Sequence, residues 1–195
     1  MKILTKTSKK SDRRTRYTIN VIKDSFIDLI KRTQYSKITV TSLCKAADIS
    51  RSTFYLHFES INDVLNSVLD DAIAASSLTY LDDGVDSTDY LKNNESLIPA
   101  CQRVGLSPKY RELLLDPDLT EYIIGRIMVR ERDRVVPSIQ KKTGLSEADA
   151  ETLFLYSLHG SFAINQANHF NKNEKWYHDV QLLNRFTQNG YKAFK

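Results

Sequence analysis

The sequence predicts an all-α protein, and three observations carry that prediction. Glycine (6) and proline (4) are scarce in 195 residues, which disfavours turn-dense sandwiches and barrels and leaves long stretches free for helices. Apolar residues recur at steps of three and four along most of the chain, the spacing of one helical face. Serine, threonine or aspartate stands just ahead of several of these stretches, where a side-chain oxygen can cap a helix N-terminus.

Residues 13–32 predict the first helix, with Ile19, Ile22, Phe26, Leu29 and Ile30 on one face. "TQYSKI" interrupts it, and a second helix begins in "TVTSLCKAA", with Thr39 as cap and Val40, Leu43, Cys44 and Ala47 facing inward. "DIS" interrupts again, with Asp48 at a turn position that favours a left-handed backbone. The segment "ISRSTFYLHFES" (49–60) is ambiguous in isolation. Phe54, Leu56 and Phe58 alternate as in a strand, yet Ser50 is a good cap and Phe54 and Phe58 lie one helical turn apart. Helical neighbours on both sides and the lack of hairpin signals decide for a short helix. Two short helices separated by a few residues must cross steeply to bury their faces, which is helix-turn-helix geometry. A fourth helix follows, capped by Ser60 and running to about Ser77, with Ile61, Val64, Leu65, Val68 and Leu69 as its stripe.

Residues 80–95 predict a loop or broken helix. Ser107 with Pro108, and Asp116 with Pro117, each read as a cap followed by proline in the first helical position. The second of these helices runs to a stop at Gly144, with Pro137 expected to kink it. Ser146 opens a helix that is apolar around much of its circumference at Leu153, Phe154, Leu155, Leu158, Phe162, Ala163 and Ile164. A final helix carries Trp176, Val180, Leu183, Phe186 and Tyr191. These last two helices have more apolar faces than a monomer core needs, which predicts a four-helix interface between two copies, a homodimer.

Charge is segregated along the chain. Residues 1–60 carry 13 Lys/Arg against 5 Asp/Glu, and the other 135 residues carry 15 against 19. A basic N-terminal domain and arm predict a polyanionic partner. The N-terminus lacks the apolar core of a signal peptide and no apolar run reaches membrane-spanning length, so a cytoplasmic protein without a membrane partner is expected. Cys44 and Cys101 form no CxxC pair. His159, His169 and His178 with Cys101 match no ligand spacing, so neither metal nor cofactor is expected. No phosphate loop, nucleophile elbow, HExxH or convincing acid–base pair occurs, and an enzyme is not expected.

The polar crowd at 49–57 fits a helix that reads DNA. Arg51 can offer a bidentate fork to guanine, and the Thr53 methyl can pack on a thymine methyl. Ser50, Ser52, Tyr55 and His57 suit phosphate oxygens, as does Thr39 at a helix N-terminus. Thr41 and the arm residues Arg13, Arg14 and Arg16 complete the expected DNA-facing set.

"ITVTSLCKAADISRSTFYLHFESINDVL", residues 38–65, resembles the DNA-binding segment of the TetR/AcrR family of transcriptional regulators. The resemblance rests on a threonine opening the second helix, Ala-Ala before the turn, and Phe-Tyr-x-His-Phe after it; residues 13–32 match in length and pattern. In that family the positions matching Thr39, Ser50, Arg51, Ser52, Thr53, Tyr55 and His57 lie at the DNA. Ile61 departs from it, standing where a phosphate-binding lysine is common. The resemblance implies a three-helix DNA-binding domain over 1–60, joined by a connecting helix to a larger helical domain over 61–195 for effector binding and dimerisation. It further implies a dimeric repressor on a pseudo-palindromic operator, released by an unknown small-molecule effector. The alternative is a DNA-binding protein without effector, acting as an adaptor through its C-terminal domain. Tyr110, Tyr122, Arg126, His159 and Phe162, chosen as putting polar tips on otherwise apolar helices, are the candidate effector-pocket residues.

Overall fold

The computed structural model describes residues 4–82, 105, 107–171 and 173–194. Among them every regular element is helical and no strand occurs. In chain order the α-helices are α1 (Leu4–Ile30), α2 (Val40–Ala46), α3 (Arg51–Tyr55), α4 (Ile61–Asp82), α5 (Arg111–Leu115), α6 (Thr120–Thr143), α7 (Glu147–Ala167) and α8 (Glu174–Lys192). Short 3-10 turns lie at Tyr35–Lys37 and Pro117–Leu119. None of the described helices is long and apolar enough to cross a membrane. The chain divides into two compact units, Met1–Ala72 and Ile73–Lys195. The division falls inside α4, not between residues 60 and 61 where the sequence predicts it.

In the first unit the predicted stripes become the core. Ile22, Phe26 and Ile30 of α1, Leu43 and Cys44 of α2, Phe54 of α3, and Val64, Leu65, Val68 and Leu69 of α4 are buried. The early turns of α4 therefore complete this core, and Lys23 Nζ donates to Asp71 Oδ2 at 2.9 Å between α1 and α4. The helix expected over 13–32 begins earlier, at Leu4, and ends at Ile30, where Arg32 and Thr33 N–H both bond to the Leu29 carbonyl. Residues 4–12 contain neither proline nor glycine to stop a helix. They also lack an apolar stripe, so periodicity alone does not reveal them. Ser60 caps α4 as predicted: its Oγ accepts from Asp63 N–H at 3.2 Å and donates to Asp63 Oδ2 at 3.0 Å. The helix continues past Ser77 to Asp82. Residues 83–95 of the expected loop, and Cys101, lie outside the described residues.

In the second unit α6 packs along α7, and α8 packs on α6. The core holds Ile123, Ile124, Ile127, Val136 and Ile139 of α6 with Phe154, Leu158 and Phe162 of α7. Arg132 braces the two helices, donating to Glu147 and Glu151; these two hydrogen bonds raise its pKa, Glu147 most. Two proline signatures resolve differently from expectation. Ser107 does not cap a helix: its carbonyl takes Tyr110 N–H in a turn, and α5 starts only at Arg111. Asp116 does cap, accepting from Asp118 N–H at 2.9 Å, but the element with Pro117 is a 3-10 turn leading into α6. α6 runs as one helix through Pro137 and ends at Gly144 in the left-handed region (φ 74°), as predicted. Ser146 caps α7 through Asp149 N–H.

The end of α7 departs furthest from what a sequence pattern can show. His169 and Phe170 both have left-handed backbones (φ 50° and 53°). Phe170 N–H bonds back to Asn165 O at 2.8 Å and His169 N–H to Gln166 O at 2.9 Å, the paired bonds of a Schellman motif. This turn places the buried Phe170 ring edge-on to Phe162 and against Gly105. Arg111 holds the same corner, donating to Asn171 Oδ1 and to Gly105 O.

Candidate nucleic-acid interface

Helices α2 and α3 are seven and five residues long, far below the length at which an isolated helix is stable in water. Local bonds at their ends compensate. Thr39 and Ser42 form a reciprocal capping box: Thr39 Oγ1 accepts from Ser42 N–H (3.1 Å) and Ser42 Oγ accepts from Thr39 N–H (2.9 Å). Between the helices, Ile49 N–H bonds to Cys44 O and Asp48 N–H to Lys45 O. That is a second Schellman motif, with Asp48 (φ 51°) in the left-handed position usually given to glycine. α3 opens on Ser50, whose Oγ accepts from Thr53 N–H at 3.0 Å and lies within 2.9 Å of the Ser52 and Thr53 hydroxyls.

This local geometry fixes which side of α3 faces water. Phe54 is fully buried and stacks obliquely on Phe58, while Arg51, Ser52 and Tyr55 are exposed and Thr53 and His57 half-buried. The helix also breaks the strand-like alternation: Leu56, between two buried phenylalanines, is 80% exposed. Tyr55 is set edge-on against Phe54, with ring centroids 5.3 Å apart. Tyr55 stands one helical turn along α3 from Arg51, and its nearness raises the Arg51 pKa. Thr39, Thr41, Lys37 and Lys45 are exposed on the preceding segment. Arg13, Arg14 and Arg16 are exposed on α1, a different element. Ile61, in the place of the common lysine, is half-buried in the first turn of α4. The predicted residues of 39–57 are thus gathered by one capped helix pair.

The second unit offers a different kind of surface. Tyr156 of α7 is 66% exposed, and Leu182 and Phe186 of α8 are 59% and 62% exposed. Close to Tyr156 and Phe186 a cleft of about 120 Å³ opens between α6, α7 and α8, with Ile127, Glu131, Phe154 and Asn184 also in its wall. None of the five candidate pocket residues lines it. Tyr110 is buried at the start of α5 with Lys109 over its ring; Tyr122 and Arg126 are half-buried on α6. His159 is half-buried on α7, and Phe162 packs on Phe170. Apolar periodicity alone passes over the buried polar residues Glu131, Asn165 and Asn184. Arg134 donates to Glu131, and Trp176 Nε1 donates to Asn165 Oδ1 at 2.7 Å. Their signal was a polar residue in register with an apolar stripe, as Asn165 is with Phe154, Leu158 and Phe162.

Among the described residues no group of three or more His, Cys, Asp or Glu side chains could hold a metal ion. No protein-family model, curated protein or solved structure matches the chain.

Proposed function

We propose that this chain is a sequence-specific DNA-binding transcriptional regulator of the TetR type, acting as a homodimeric repressor that a small-molecule effector releases from its operator. One observation carries the reading: two short helices, capped by hydroxyls and joined by a Schellman turn, present Arg51, Ser52 and Tyr55 together to solvent. The N-terminal turns of such a helix reach base edges in a major groove, and the capped start of α2 reaches phosphates. The basic balance of residues 1–60 supports a polyanionic partner. Exposed Tyr156, Leu182 and Phe186 support association of two copies through α7 and α8.

A second reading, an adaptor without effector, draws on the size of the cleft. About 120 Å³ is below the ~300–1,000 Å³ of common small-molecule pockets.

The test is selection of duplex DNA by the purified protein from a random pool, followed by footprinting. The expected result is a pseudo-palindrome whose half-sites lie about one helical turn, ~34 Å, or a multiple apart. Protection of an isolated half-site by a monomer contradicts the dimer, and recovery of no preferred sequence contradicts the whole reading.

A further inference from the structure

We propose that the cleft between α6, α7 and α8 binds a small organic cation, an ammonium group on a body of about one ring, with the Glu131 carboxylate as its counter-ion. This names a chemical class for the effector in the reading above and rests on that reading for the effector's role, while binding itself requires no DNA.

Size sets the first limit. The cleft holds about 120 Å³, and an apolar cavity of about 150 Å³ accommodates a benzene molecule. A ligand of one ring, or an aliphatic body of that bulk, fits. The larger molecules that fill common pockets do not.

Charge sets the second. Of the described side chains that line the cleft, only Glu131 and Arg134 are charged, and the two are unequally placed. The side chain of Glu131 is 11% exposed and that of Arg134 50%. Arg134 donates from both Nε and Nη2, and both bonds end on one oxygen, Oε2 of Glu131. The buried member of the pair is therefore the anion. A carboxylate in that position needs a cation beside it, because an uncompensated buried charge is costly. The guanidinium has no such need: half in water already, it keeps its hydration when it swings outward. A ligand ammonium can thus replace Arg134 on Glu131 without leaving a buried charge alone, whereas a ligand anion would meet Glu131 itself.

The walls add a third limit. Phe154, Tyr156, Phe186 and Tyr191 bring four aromatic side chains to the same cleft. Ring faces carry the negative part of the quadrupole, which attracts an ammonium and repels a carboxylate. Ile127 and Leu183 offer apolar contact to the ligand's body. Arg134 is then a competitor for the site it helps to build. Removing the charge of Glu131 should abolish recognition of the cation, and removing Arg134 should strengthen it. A carboxylate that serves only to hold α6 would produce neither effect.

The experiment is calorimetric titration of the full chain, without DNA, with three probes of similar size: benzylamine, which is an ammonium at neutral pH, neutral benzyl alcohol, and benzoate. Wild type should bind benzylamine at least about tenfold more tightly than benzyl alcohol, the scale of a hydrogen bond to a charged group, and should not bind benzoate. Glu131→Gln keeps the size of the side chain and an acceptor for Arg134, and should erase the preference for benzylamine. Arg134→Ala should tighten benzylamine about two- to fivefold, the strength of a half-exposed ion pair. Trp176, the only tryptophan of the chain, donates to the cleft residue Asn165, so its fluorescence should change with benzylamine and report where the probe sits. Thermal unfolding checks that each variant is folded; if one is not, the three probes on wild type decide alone. No binding of benzylamine, equal affinity for benzyl alcohol, or tighter binding of benzoate overturns the site. A preference for benzylamine that survives Glu131→Gln, or weaker binding by folded Arg134→Ala, overturns it as well. Failure of the protein to select any duplex would contradict the DNA-binding reading and leave these results standing.

Discussion

The two units differ in what they leave exposed. In the first, helices of seven and five residues are held by hydroxyl caps at Thr39 and Ser50, and the surface they present is, Leu56 apart, made largely of hydrogen-bonding groups. In the second, helices of 24, 21 and 19 residues pack along their length, and the surface includes large apolar side chains at Tyr156, Leu182 and Phe186. Short helices fixed at their ends can place individual polar atoms to within a hydrogen bond's tolerance. Long helices fixed along their flanks present area instead. The first arrangement suits recognition of a polar, patterned partner, and the second suits burial against another apolar face.

The comparison breaks most visibly at Phe54. This fully buried ring carries α3 and backs Tyr55, so Phe54→Ala should cost about 3–5 kcal/mol, read as a lower midpoint in urea unfolding with loss of DNA binding. A cost near zero would show that α3 does not depend on that anchor. In the second unit the matching weak point is Gly105. A Cβ there would stand 2.6 Å from Phe170 Cδ1, so Gly105→Ala should destabilise by about 1–3 kcal/mol through overpacking, with DNA affinity at saturating folded protein unchanged.

A finer comparison uses two caps of the same chemistry. Ser50→Ala and Ser146→Ala each remove a serine Oγ that accepts from the N–H three residues on, and each should cost about 1 kcal/mol of stability. Only Ser50→Ala should also weaken DNA binding, because it unfastens the turn that bears Arg51. Equal losses of DNA affinity from both would erase the distinction between the units. The smallest effect is expected from acid. Asp179 accepts from Lys175 and from Asn168, at the α7–α8 corner, and these bonds hold its carboxyl below the usual carboxylate value, Lys175 most. Its contribution is present above the unfolded pKa and is lost as pH falls through the depressed folded one. Melting temperature against pH should therefore drop slightly more steeply in wild type than in Asp179→Asn.

What was legible in the sequence follows the same division. The caps at Thr39, Ser50, Ser60 and Ser146 and the left-handed Asp48 were readable because each involves neighbours within three or four positions. The extension of α1 back to Leu4 was not, since residues 4–12 carry no apolar stripe. The Ser107–Pro108 pair has the composition of a helix start, but Ser107 gives its carbonyl to a turn and α5 begins after it. The cleft between α6, α7 and α8 was unreadable for a different reason: its walls come from segments as far apart in the chain as Ile127 and Tyr191. Arg51 and Tyr55 were both visible as surface residues, yet the edge-on packing of Tyr55 against Phe54 appears only once the helix fixes both rings.

The corner at Gly105 and Phe170 has a consequence for how this sequence can change over generations. Phe170 holds a left-handed backbone that glycine would adopt at less cost, while its ring fills the space that the missing side chain at Gly105 provides. A glycine at 170 would relax the turn and leave a hole; a larger residue at 105 would keep the turn and have nowhere to go. Neither position can drift alone, so descendants of this chain should change the two together, with a residue larger than glycine at 105 appearing only beside a smaller one at 170.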